Sequence, residues 1–166
     1  MATIIDALLV TAGFDPKRFA ADSLSGAVSL AQMAQNLDMS TERLSAWQKA
    51  AERAGGTAEA ISAQLRESSV AVARFNRGST ADSLPGFFDN GGNVGDLKDG
   101  NTYLLARSRI IADLYQKDRA QAAVAAQDMG ISEGSFDLLK RGPDEVERLL
   151  QIQEKRAAIS MNDAQA

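Results

Sequence analysis

Apolar positions recur along most of this chain at spacings of three and four residues, the period of a helix with one buried face. From Asp22, the residues Leu24, Val28, Ala31 and Ala34 mark such a face, which runs out near Asn36 before Leu37 and Met39 enter a turn. Ser40 is a good N-cap with Glu42 in the first turn behind it, and Leu44, Trp47, Ala51 and Ala54 line one side until Gly55-Gly56. Thr57 can cap a third helix, whose Ile61, Leu65, Val72 and Phe75 form the cleanest stripe in the sequence and end at Gly78.

Residues 79–101 break the period. Pro85, Gly86, Gly91, Gly92, Gly95 and Gly100 stand among Asp and Asn, which predicts an irregular loop anchored by Phe87 and Phe88. Helical spacing resumes at Asn101 or Thr102 with Leu104, Leu105, Ser108, Ile111, Ala112 and Tyr115. Asp118 can cap an alanine-rich helix reaching Met129, Gly130 stops it, and Ser132 opens another with Phe136 and Leu139. Gly142-Pro143 then restarts the chain, with proline at the favoured first helical position ahead of Val146, Leu149, Leu150 and Gln153. Past Ala158 the residues are small and polar, and fraying is expected. At the other end, Ile4, Ile5, Leu8, Leu9 and Val10 suit either a strand or a helical stripe.

The pattern predicts an all-α protein of about six to seven short helices with room for one short N-terminal strand near residues 3–10. Five segments follow. Residues 1–19 form an extended or turn segment, 20–78 a first helical unit, 79–101 the Gly-, Asp- and Asn-rich loop, 102–157 a second helical unit and 158–166 a frayed tail. Most of the core is expected from 57–77 and 102–116, which hold the densest set of large apolar residues.

Composition narrows the chemistry. The 166 residues include no Cys and no His, which removes disulfides, thiolate metal sites, cysteine nucleophiles and the commonest general base. With 18 Lys and Arg against 22 Asp and Glu, a net charge of −4 gives no footprint for specific nucleic-acid binding. No stretch approaches the ~20 apolar residues of a membrane helix. Gly91-Gly92-Asn93-Val94-Gly95-Asp96 lacks the preceding strand and following Lys-Ser/Thr of a phosphate loop, and reads as a turn. Asp96, Asp99, Asn93 and Asn101 offer oxygen ligands without the bidentate Glu of a calcium loop. Nothing pairs Glu52, Glu59, Glu67, Asp82 and Asp144 for glycoside cleavage, and Lys49, Arg53 and Arg66 are scattered bases. No catalytic, cofactor or metal residue is expected.

The run from Leu30 to Glu59, with its Asn36-Leu37-x-x-Ser40-x-x-x-Leu44-x-x-Trp47-Gln48 pattern and following Gly55-Gly56, resembles the N-terminal region of tail tape-measure proteins of phages and prophages. The likeness extends to Val10–Asp15, Phe87–Tyr103, Leu104–Tyr115 and Met129–Pro143, covering most of residues 4–157. It implies a non-enzymatic virion tail component, present in the host cytoplasm during assembly, that contacts tail-tube, baseplate or tail-tip proteins through its helices. A fully helical chain of this length would span ~250 Å, and the glycine breaks exclude one straight rod. A small prophage-derived interaction or regulatory module is the alternative, with a cell-wall hydrolase behind it. Because much of the 45% hydrophobic content is alanine and only 5% is aromatic, the helices bury little area alone and self-association is expected. Leu44, Trp47, Ala51, Val146 and Leu150 are the residues expected at those protein contacts.

Overall fold

A computed structural model describes residues 29–165, so the choice between strand and helix for residues 3–10 lies outside the described residues. Among the described residues the protein is all-α, with no strand. Residues 29–36 are helical and end in a turn where Asp38 takes a positive φ of 53° and the Met39 amide donates to Ala34 O at 3.0 Å. Glu42 onward forms one compact unit. Its elements are α1 (Thr41–Arg53), α2 (Ala58–Asn76), α3 (Ser83–Asp89), a 3-10 turn (Val94–Asp96), α4 (Gly100–Lys117), α5 (Arg119–Asp128), α6 (Glu133–Leu139) and α7 (Pro143–Gln165).

The expected punctuation sets these boundaries. The Thr57 hydroxyl accepts from the Ala60 amide at 3.1 Å, the Asp99 carboxylate from Thr102 at 2.7 Å, and Asp118 from Ala120 and Gln121 at 3.0 and 3.2 Å. Each supplies an acceptor to amides that the first helical turn leaves unpaired. Gly130 stops α5 at φ 73°, where the Ile131 amide donates to Ala126 O at 2.8 Å, the same closure seen after residue 36. Ser132 begins α6 without a side-chain capping bond, and its hydroxyl instead reaches Ser135 Oγ at 3.1 Å.

Two segments are more regular than their composition suggests. The 79–101 stretch holds α3 and the 3-10 turn, and its Leu84, Phe87 and Leu97 are buried, with Phe87 edge-on against Tyr103 of α4 at 5.0 Å. In the 158–166 stretch α7 continues as helix to Gln165.

The central helix is α4, which touches α2, α5, α6, α7 and the 3-10 turn. Its Tyr103, Leu104 and Ile111 are buried together with Ile61, Leu65 and Val72 of α2. Phe75, Leu105 and Tyr115 are half-buried, at the edge of the core rather than inside it. Where α6 begins, backbone meets backbone: a Cβ on Gly56 would fall 1.9 Å from Gly134 O, so both positions need glycine for the approach. Replacing Leu65 or Ile111 by Ala should each cost ~2–5 kcal/mol, the range for large-to-small changes at fully buried sites. Urea unfolding measures it, and a loss within about 0.5 kcal/mol would place these residues outside the core.

Candidate functional site

Leu44, Trp47, Ala51, Val146 and Leu150, expected at protein contacts, are all buried. This corrects the sequence reading. These stripe residues of α1 and α7 present almost no exposed surface. At their edge Arg43 spans α1 and α7, reaching Glu147 at 2.5 Å and Glu154 at 3.4 Å. Partial burial works against the Arg43 charge, but the two carboxylates outweigh it and raise its pKa above the ordinary value. Trp47 is an apolar anchor whose Nε1 has no hydrogen-bond partner among the described residues.

The most concentrated chemistry lies elsewhere, around a fully buried arginine. Arg107 projects from the inner face of α4, with no exposed surface. Its Nη1 donates to Glu67 Oε2 at 2.9 Å and to Met129 O at 2.9 Å, and its Nη2 donates to the Ser68 hydroxyl. The guanidinium stacks 3.9 Å from the centre of the Tyr103 ring, one helical turn earlier. Glu67 also accepts from Ser83 Oγ at 2.6 Å and Gln64 Nε2 at 3.2 Å, while the Tyr103 hydroxyl donates to Ser83 Oγ at 2.8 Å. The network therefore joins α2, α3, α4 and the end of α5.

Gln64 completes it at the α5–α6 turn, donating to Gly130 O and accepting from the Ser132 amide, both at 3.0 Å. Ser108 Oγ donates to Leu139 O at 2.6 Å at the end of α6. Three buried polar side chains from α2 and α4 thus pair carbonyls at or just beyond two helix C-termini, where the helices' own amides give out. A cation beside the end of α5 also suits the negative pole of that helix. Burial pushes the Tyr103 hydroxyl above its ordinary pKa, opposed by the Arg107 charge and the hydrogen bond with Ser83.

This arrangement can hold helices together, and its donors and acceptors are turned on one another except for Arg107 Nε, which is buried without a hydrogen-bond partner among the described residues. Glu67, a carboxylate considered for cleavage chemistry, is committed to Arg107 and Ser83. Glu52, Glu59, Asp82 and Asp144 are exposed on separate parts of the chain, as are Lys49, Arg53 and Arg66. The oxygen-rich loop is used in capping: Asp96 and Asn93 pair reciprocally around the 3-10 turn, Asp96 also meets Arg109 at 3.4 Å, and Asp99 caps α4. No cluster of three acidic residues suited to a metal occurs among the described residues. A cleft of about 400 Å³ beside α4 is lined by Asn90, Gly91, Asn93, Arg109, Ile110, Asp113 and Leu114. Its rim carries one guanidinium and one carboxylate, which gives it no net preference for an anion or a cation.

Sequence reasoning placed Ser108 on a helical face but passed over Arg107 and Gln64. A signal was present, because Arg107 falls four residues after Tyr103 and four before Ile111, inside an otherwise apolar row. No protein family, characterised protein or solved structure matches this chain. No described helix is long and apolar enough to cross a membrane.

Arg107→Ala should cost about 3–5 kcal/mol in urea unfolding, because it strands the inner groups of the network and opens a cavity. Arg107→Met keeps much of the volume and should recover part of that loss. Equal stability of wild type and Arg107→Ala would refute the structural role.

A second expectation concerns alkaline pH. A raised Tyr103 pKa means the fold favours the neutral phenol, so this contribution is fully present below pH 10.0 and is lost as pH rises through the folded-state value. Unfolding midpoints should fall less between pH 9 and pH 11 for Tyr103→Phe than for wild type. Parallel curves would show that Tyr103 gives no such linkage.

Proposed function

We propose that this chain is a non-enzymatic structural component of a phage or prophage tail, working through helix-mediated contacts with tail-tube, baseplate or tip proteins and with further copies of itself. The resemblance of Leu30–Glu59 and the later segments to tape-measure N-terminal regions supports the setting. One structural observation carries the mode of action. Beyond Glu154, α7 runs on as helix while every described side chain from Lys155 to Ala164 is exposed except the half-buried Ala157. Ile159 and Met161 are 60% and 56% exposed there.

Short helical segments are marginal in water without tertiary packing, and this one displays large apolar residues that the fold does not use. A partner that covers them gains buried apolar area and fixes the helix at once. The residues available for contact are therefore on the distal half of α7, rather than Leu44, Trp47 or Leu150.

Mass spectrometry of purified particles should find the wild-type chain, and Ile159→Asp/Met161→Asp should lower its incorporation while leaving the urea unfolding midpoint unchanged. Absence of the wild-type chain from particles would overturn the tail reading and leave the free interaction module in its place.

A further inference from the structure

The outward row of α2 combines small and apolar residues with three exposed arginines. Ile61, Leu65, Ser68 and Val72 point inward, and the opposite row at spacings of three and four runs Ala63, Arg66, Val70, Ala73 and Arg77, with Arg74 on its flank. All six of these residues are exposed. None of the three arginines makes an ion pair with a described residue, in a chain whose net charge is −4. Glu67, the nearest acid in sequence, is turned to Arg107, and the row contains no other acid after Glu59.

The negative pole at the end of α2 accounts for a cation at Arg74 or Arg77, because that effect fades within the last turn. Arg66 lies more than two turns earlier, so the pole does not explain it. Ala63 precedes Arg66 in this row, and between Arg66 and Arg77 stand Ala73 and Val70, the valine 46% exposed. Small side chains in such a row let a second helix approach closely, and the guanidiniums on either side reach carboxylates across it.

We propose that the Ala63–Arg77 row of α2 docks an acidic amphipathic helix of a partner protein, with carboxylates meeting Arg66, Arg74 and Arg77 and an apolar side chain on Val70. The arginines span roughly 16 Å along the axis, or about three helical turns of a partner. A protein helix fits better than a nucleic acid. Three cations on a chain of net charge −4 release few counterions from a duplex, and the aliphatic centre of the row offers neither stacking nor donors to phosphates. The proposal rests on the reading that this chain acts through helix-mediated protein contacts, and it names one such contact face.

The probe is an alanine-based helical peptide with three glutamates spaced to face the arginines around one leucine. A control peptide carries glutamine in their place, and a 20-base-pair duplex is the nucleic-acid comparison. In low salt, the glutamate peptide should bind wild-type protein roughly tenfold or more tightly than the glutamine peptide, and in ~1 M salt the difference should vanish. R66E/R74E/R77E should abolish the preference with an unchanged unfolding midpoint, and R66Q, which leaves the end of α2 untouched, should reduce it severalfold should the triple variant not fold. Equal binding of the two peptides, retention of the preference in R66Q and the folded triple variant, or tighter binding of the duplex overturns the proposal. Peptide failure while the wild-type chain is found in particles rejects the arginine row alone, whereas peptide binding with the chain absent from particles rejects the tail reading alone.

Discussion

Arg107 imposes the constraint on which the arrangement of helices depends. A guanidinium with no solvent contact costs several kcal/mol unless its charge is balanced and most of its donors are met, as they are here at both Nη atoms though not at Nε. The charge is balanced by Glu67 on α2, one donor is taken by the end of α5, and Tyr103 of α4 supplies a ring face. Glu67 can hold that position because Ser83 and Gln64 also bond to it, which brings α3 into the same account. Apolar burial is non-directional and would accept many mutual rotations of alanine-rich helices. The hydrogen bonds of Arg107 accept few, so they convert a permissive core into a specific one.

The need for such a device follows from composition. Ala46, Ala50, Ala51, Ala71, Ala122, Ala125 and Ala126 are all among the buried apolar residues, and each removes less apolar area from water than a Leu or Phe would. Close helix approach compensates in part, as at Gly56 and Gly134. Short helices also multiply the ends whose carbonyls must be paired. Arg107, Gln64 and Ser108 meet that need from inside the core, so the polar interior answers a problem created by the same glycine and alanine content that makes the chain fold as short pieces.

How much of this is legible in the sequence depends on what kind of statement is asked for. The caps at Thr57, Asp99 and Asp118 and the stops at Gly78, Gly130 and Gly142 are local events, decided by a few neighbouring atoms, and the helix boundaries follow them closely. Ile61, Leu65 and Ile111 could be assigned to the core because their stripes are long and regular. Which partner covers a stripe is a tertiary fact. The faces of Leu44-Trp47-Ala51 and Val146-Leu150 have the same pattern whether they are closed within one chain or between chains, so the pattern alone does not predict the burial seen here. In 79–101 the breakers were counted and the apolar Leu84, Phe87 and Leu97 were underweighted, although burial of those side chains is what lets α3 form around Pro85 and Gly86.

Burial of those stripes also changes what remains for a partner. A surface whose large apolar residues are mostly buried can still associate through the few places where a helix outlasts its packing, as at Ile159 and Met161, and through rows where charge is left uncompensated, as at Arg66, Arg74 and Arg77. The two differ in kind. Apolar contact on α7 gains from burial and tolerates salt, whereas the row on α2 acts over roughly a Debye length and weakens as ions screen it. Neither face draws on the Arg107 network, whose donors are turned inward. Cohesion of the unit and the proposed adhesion to a partner therefore rest on different residues, so on that proposal a substitution on α2's outer row alters binding without loosening the core behind it.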